Sequence, residues 1–356
     1  MAVLRLRMFT RLTYSFRTAS RLSARAIPNA RQELCRPLDQ TRSRKGYIAA
    51  TIPAILIIGL LAARSVGYGW FRATGTSSMY VGTPTTDVNG VLCYPVRSAY
   101  QGYREQVIRV LRPRYDDPAK DAATLYILPV DTGIDTLSST WGDGFEELRL
   151  LDVADRFNLT LVAPSFTYEP WYGDNRIDPG RRMESFVVDD LVPFGDKFMP
   201  MGRRHRRYVI GFSKSGNGAL FLILRNPRIF DAAAAWDCPA ELQSLSRFSA
   251  LTMNFGSQTN YDSYNIPALV SRNAAAFRHQ NRLWISGDQG IFTADMVQLH
   301  NQLTALSIPH TWVQGGHREH RWDSGWLEGA VSELVAGAAA SDPVAGPAGM
   351  LENSSK

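Results

Sequence analysis

The residues able to do covalent chemistry fall in two short segments. The first, RRYVIGFSKSGNGALFLILRNP (206–227), reads as an apolar strand to Gly211, then Ser213, then a helix rich in small residues. A serine on a sharp strand-to-helix turn is a nucleophile elbow. The turn lifts the hydroxyl above the sheet, and the helix N-terminus lends positive potential to an oxyanion formed there. Gly211 leaves room for the turn, while Ser215 stands where the pattern G-x-S-x-G has its second glycine. The bland alternative is a serine that caps a helix after a buried strand.

A serine hydroxyl needs a base, and the base needs an orienting carboxylate. The second segment, GGHREHRWDSGW (315–326), offers His317 and His320. Their H-x-x-H spacing could also suit a metal, but no further His, Cys or HExxH pattern accompanies it. His205, His279, His300 and His310 read as surface or helix-face residues. With an elbow, the order along the chain is Ser, acid, His, so the acid belongs after a late strand. Asp288 directly follows the strand RLWISG and is the preferred acid. Asp237, after AAAAW, and Asp295, in TADMVQLHNQL, compete with it. The helix dipole accounts for Asp295 without catalysis. One oxyanion donor is expected from the N–H of Lys214, the other from the loop after TLYILP near Val130 and Asp131.

The elements that must position these residues alternate along the chain. Strands are expected at Gln106–Leu111, Thr124–Leu128, Leu159–Ala163, Arg207–Gly211, Ala232–Trp236, Arg282–Ser286 and Thr311–Gln314. Helical patterns over Gly144–Arg156, Asn217–Asn226 and Ala294–Leu306 separate several of them. That alternation predicts an α/β fold, with a mostly parallel central sheet and helices on both faces. In such a sheet the reactive groups gather at the carboxyl ends of the strands.

From about Val91 to Leu334 the sequence resembles the esterase branch of the α/β-hydrolases, which includes esterase D, feruloyl esterases and mycobacterial mycolyltransferases. LYILPVDTG, APSFTYEPWYGDN, GFSKSGNGA, RNPRIFDAAAAWD and HRWDSGW carry the likeness. The resemblance implies ester hydrolysis or acyl transfer with no cofactor. Mycolyltransferases also have Ser at the second-glycine position, as here at Ser215. Feruloyl esterases place their catalytic His shortly before a Trp, which favours His320, two residues before Trp322, over His317. PWYGDN is similar to the family's aromatic stretch beside the active site. Trp171, Tyr172 and Asp174 are therefore candidates for the substrate wall, and Trp236 joins them.

Composition bounds the rest. At 356 residues, 45% of them hydrophobic, the chain can bury a sizeable core. The formal charge of +6 is uneven: residues 1–46 hold ten Arg and one Lys against Glu33 and Asp39, so the remainder is mildly acidic. Such a body gives no electrostatic reason to expect nucleic acid. Three cysteines, Cys35, Cys93 and Cys238, are too few for a disulfide framework, although Cys93 and Cys238 could pair.

The run GYIAATIPAILIIGLLAA (46–63) is uncharged and near the lower limit for a membrane helix. The expected organisation is a basic tail over 1–45, a transmembrane signal-anchor over 46–63, a linker over 64–90, a catalytic domain over 91–335 and a disordered tail over 336–356. The Arg excess predicts a cytoplasmic N-terminus and a body in the periplasm, an organelle lumen or outside. The rival reading is mitochondrial, since residues 1–32 are rich in Arg and Ser and nearly free of acids.

Three functions fit. The leading one is a carboxylic-ester hydrolase working through an acyl-enzyme on a small-molecule, glycan or lipid ester. The second passes the acyl group to a sugar or lipid at the same site. The third is a membrane-tethered binding protein on a retired hydrolase scaffold.

Overall fold

The computed structural model describes residues 71–72, 78–133 and 140–339. Within them, eleven strands form one sheet: β1 Phe71–Arg72, β2 Met79–Val81, β3 Thr85–Thr86, β4 Leu92–Ser98, β5 Glu105–Leu111, β6 Ala122–Ile127, β7 Leu159–Pro164, β8 His205–Phe212, β9 Ala232–Trp236, β10 Leu283–Ser286 and β11 Thr311–Val313. The spatial order is β1-β2-β4-β5-β7-β6-β8-β9-β10-β11, with β3 paired to β4. From β7 to β11 along that order the strands are parallel, and from β1 to β7 they are antiparallel. The mostly parallel sheet expected from the strand–helix alternation is thus present, extended by an antiparallel flank.

The principal helices are α1 Gly144–Leu150, α2 Val153–Phe157, α3 Ser213–Arg225, α4 Ile266–Asn273, α5 Thr293–Ala305 and α6 Leu327–Ala339. They cover both faces, and β9 explains how. Four alanines make a poor strand by propensity, but they let helices approach closely on either side. Ala233 and Ala235 join the core that holds Leu220 and Leu224 of α3. Trp236 belongs to the opposite face, where its ring stacks on Trp326, at the start of α6, with centroids 5.4 Å apart. Packing against two neighbours overrides the local preference.

Two expectations about the elements are corrected. The helix pattern over Gly144–Arg156 is two helices, because Asp152 takes a left-handed φ of 55° between α1 and α2. The stretch 64–90, read as a linker, already contains β1, β2 and β3, and Met79 is fully buried. Gly, Ser and Thr dominate there because the strands are very short and at the edge, which hides their period. Ser78 belongs to the body too, since its Oγ donates to the buried Asp190 at 2.6 Å.

The basic tail, the apolar run 46–63 and most of the C-terminal tail lie outside the described residues; α6 itself reaches Ala339. Among the described residues no helix is long and apolar enough to cross a membrane. Cys238 is a buried free thiol, so it does not pair with Cys93.

Candidate active site

The turn at Ser213 is set by sterics. β8 ends at Phe212, α3 begins at Ser213, and Ser213 holds a φ of 52°, a region that non-glycine residues occupy at a cost. Only glycine fits at 211, because a Cβ there would stand 2.2 Å from the carbonyl oxygen of Ser215. Ser215 explains its own departure from the elbow pattern. Its Oγ donates to the carbonyl of Phe212 at 2.8 Å and accepts the N–H of the same residue at 3.1 Å. Both backbone groups at the buried strand end are thereby satisfied, while Ser213 itself stays half-buried.

His320 lies over this turn, its ring 4.9 Å from that of Phe212 and edge-on to Trp141 at 5.4 Å. Its Nδ1 is 2.6 Å from Oδ2 of Asp237. That contact commits Nδ1 and leaves Nε2 as the nitrogen able to exchange a proton with a substrate or nucleophile. Ser213 and His320 are not hydrogen-bonded to each other, which is common before a substrate is bound. His317 is exposed on the same loop. The loop is held from the other side: the N–H of Trp322 donates to the carbonyl of Trp141 at 2.8 Å, and Arg321 donates to that of Thr140 at 2.7 Å.

The carboxylate on the histidine is therefore Asp237, and the expectation for Asp288 is corrected. Asp237 directly follows β9 with a φ of 41° and no exposed surface. Its carboxylate also accepts the N–H groups of Ile291 and Phe292 at 2.9 and 2.7 Å. Those donors come from the turn after β10, which wraps around Asp237. Asp288 opens that same turn but faces away, accepting the N–H of Gly315 at 2.9 Å. Asp295 accepts from the N–H of Glu241 at 3.0 Å and pairs with Arg247, away from the histidine.

The oxyanion candidates meet at one edge. Lys214 is the second residue of α3, and its ammonium reaches Glu169 and lies 3.9 Å from Asp131. It ties the elbow to the loop after β6, which carries the buried Val130. Glu169, which sequence reasoning missed, sits in the stretch SFTYEP and is exposed apart from this pairing.

The segment PWYGDN does not form an open wall. Trp171 and Tyr172 are buried, Trp171 packing on Phe248 with centroids 5.2 Å apart. Tyr172 has a φ of 57°, and its hydroxyl donates to the carbonyl of Pro129. Asp174 bonds the N–H of Ser185 at 2.9 Å, and its hydroxyl, and pairs with Arg182. Burial raises the Asp174 carboxyl above its ordinary range, against the opposing pull of those Ser185 bonds. These three residues make the corner beneath the site instead. Trp236 is buried as well; with Ser286, Asp288, Gly290, Gly316 and Arg318 it borders a small recess, its ring 5.9 Å from that of His320.

Known structures share this architecture. S-formylglutathione hydrolase from Agrobacterium tumefaciens aligns over 72% of this chain and 99% of its own, with a TM-score of 0.57 at 16% identity. The chain has the α/β-hydrolase fold. A ferulic acid esterase shares that fold, aligning over 70% of this chain and 97% of its own, with a TM-score of 0.53 at 16% identity. A fluorophosphonate-binding serine hydrolase of Staphylococcus aureus does so over 69% and 98%, with a TM-score of 0.51 at 15% identity. No family model matches the sequence, and no curated protein matches it significantly.

Proposed function

We propose that the chain is a serine esterase that cleaves carboxylic esters through an acyl-enzyme. The Ser213 hydroxyl attacks the ester carbonyl while Nε2 of His320 takes its proton. Collapse of the tetrahedral intermediate expels the alcohol, which receives that proton. Water then repeats the sequence on the acyl group and frees Ser213. Asp237 holds the imidazole and offsets its positive charge. The N–H of Lys214 and one from the Val130–Asp131 loop bind the oxyanion. The observation that carries this reading is the 2.6 Å contact between Asp237 and His320, placed beside a serine in a strained turn. The solved neighbours named for ester hydrolysis support it.

Tyr172 has a part in the same scheme. A trans peptide points its C=O and N–H in opposite directions. By holding the carbonyl of Pro129, Tyr172 fixes the opposite heading of the N–H of Val130. Tyr172 is thus a positioning residue for the second donor.

Hydrolysis of a panel of p-nitrophenyl esters by the protein and its Ser213→Ala variant tests the reading. Loss of the nucleophile should lower kcat by about 10⁶; activity kept within tenfold would overturn it. Adding sugar or long-chain alcohols to the same assay separates hydrolysis from acyl transfer, since transfer yields a new ester.

The charge asymmetry of the N-terminus supports anchoring through 46–63 with the catalytic domain outside the cytoplasm. Protease added to opened cells should then digest the domain. Its protection, or mitochondrial import with loss of the basic leader, would contradict that orientation.

A further inference from the structure

We propose that the amino-terminal edge of the sheet, opposite the Ser213 turn, holds a second binding site, for a ligand bearing phosphate. Strands β8, β9 and β10 start there side by side. Arg204 and Arg206 at β8, Arg228 before β9, and Gln280, Asn281 and Arg282 before β10 line one open recess of about 160 Å³. β8 is eight residues long, so roughly 26 Å of strand separates this recess from the elbow.

The recess is strongly cationic in an otherwise mildly acidic body. Four guanidinium groups line it with one carboxylate, Asp231, which already accepts the N–H of Arg207 at 2.8 Å, and a second, Asp121, behind them on Arg206. Arg206 is built in rather than waving in solvent: its side chain is 3% exposed, and its Nε bonds Asp121 at 2.8 Å. Arg282 is fixed by donating to carbonyl oxygens, that of Asp231 at 2.8 Å, that of Pro227 at 2.6 Å, and that of Phe230. Those acceptors are neutral. Burial accordingly works against the charge of Arg282 and pulls its pKa below the ordinary value, with Asp231 opposing. An anion seated in the recess would remove that penalty.

The donor chemistry favours phosphate over carboxylate. Guanidinium forks match phosphate oxygens two at a time, and a dianion or pyrophosphate can engage several of them together. The amides of Gln280 and Asn281 add hydrogen-bonding groups at the rim. The ligand is a phosphomonoester or pyrophosphate, either soluble or the headgroup of a lipid. A nucleic acid would need the basic surface to continue beyond this one recess, and the body around it is mildly acidic.

Arg204 and Arg228 are both exposed, so Arg204→Ala/Arg228→Ala removes two charges from the rim of the recess. Calorimetric titration of the full chain with pyrophosphate at fixed ionic strength should give saturable binding. The double variant should bind at least tenfold more weakly, and Arg176→Ala, a control on another exposed loop, should bind as the wild type does. Hydrolysis of p-nitrophenyl esters should be unchanged in both variants, which shows that they fold and keeps this test separate from that of the esterase reading. Calorimetric titration with a short-chain phosphatidic acid, kept below its micelle concentration, distinguishes the sources. Binding of that lipid that the double variant loses assigns a headgroup; pyrophosphate binding without it assigns a soluble ligand. The proposal is overturned if the wild type binds neither probe, or if the double variant matches it with both.

Discussion

β9 and β10 are parallel neighbours, and each delivers an aspartate to the same edge of the sheet: Asp237 one residue past Trp236, and Asp288 two past Ser286. In sequence the two look equivalent. In the fold they differ in enclosure. Asp237 has no exposed surface and three donors, two from backbone and one from His320. Asp288 is half-buried and accepts from Gly315 alone. The turn that begins at Asp288 closes over Asp237, so the residue that opens the turn becomes part of the wrapping around its neighbour. A strand end brings a carboxylate to the catalytic edge, but the next turn along decides which one is enclosed there.

That contrast can be broken directly. Asp237→Asn should have the largest effect, a fall in kcat of about 10⁴, because an amide no longer holds the imidazole in the productive tautomer. Steady-state kinetics on a p-nitrophenyl ester would read this; a loss below tenfold would put the orienting role elsewhere. Gly290→Ala should come next. A Cβ at that position would lie 2.2 Å from the Asp237 carboxyl, so the acid must shift and carry His320 with it. A displacement near 1 Å typically costs about 10² in rate. Circular dichroism should show a retained fold alongside the reduced kcat.

The same distinction applies at the end of β6. Tyr172→Phe keeps the ring but frees the carbonyl of Pro129. The expected loss is about tenfold in kcat with KM unchanged, below the ~10²–10³ that follows removal of an oxyanion donor itself. A KM effect alone would instead mean contact with substrate. Asp288→Asn should do least, leaving kcat unaltered and stability within about 0.5 kcal/mol, as measured by thermal unfolding.

Much of this was legible in the residues. The elbow showed because a strand, a glycine and a run of small helical residues meet at Ser213. The parallel strands showed because each is a short apolar run between helices. The acid did not, because Asp237 and Asp288 both satisfy the rule of a carboxylate after a strand, and their difference lies in a turn fifty residues away in sequence from Asp237. PWYGDN is ambiguous for a related reason. Its aromatic residues suit a substrate wall and a buried corner equally, and the hydroxyl of Tyr172 finds its partner in Pro129, on a different strand end. The edge strands β1 to β3 were missed because two or three residues carry no period.

On the proposed reading Ser213 is an activated nucleophile whose base is oriented by Asp237. Reaction with a fluorophosphonate probe, followed by intact-mass and peptide mapping, tests it most directly. One adduct is expected, on Ser213, absent in Ser213→Ala and formed far more slowly in Asp237→Asn, with Asp288→Asn reacting like the wild type. An adduct on another residue, or labelling slowed by Asp288→Asn and untouched by Asp237→Asn, would contradict it.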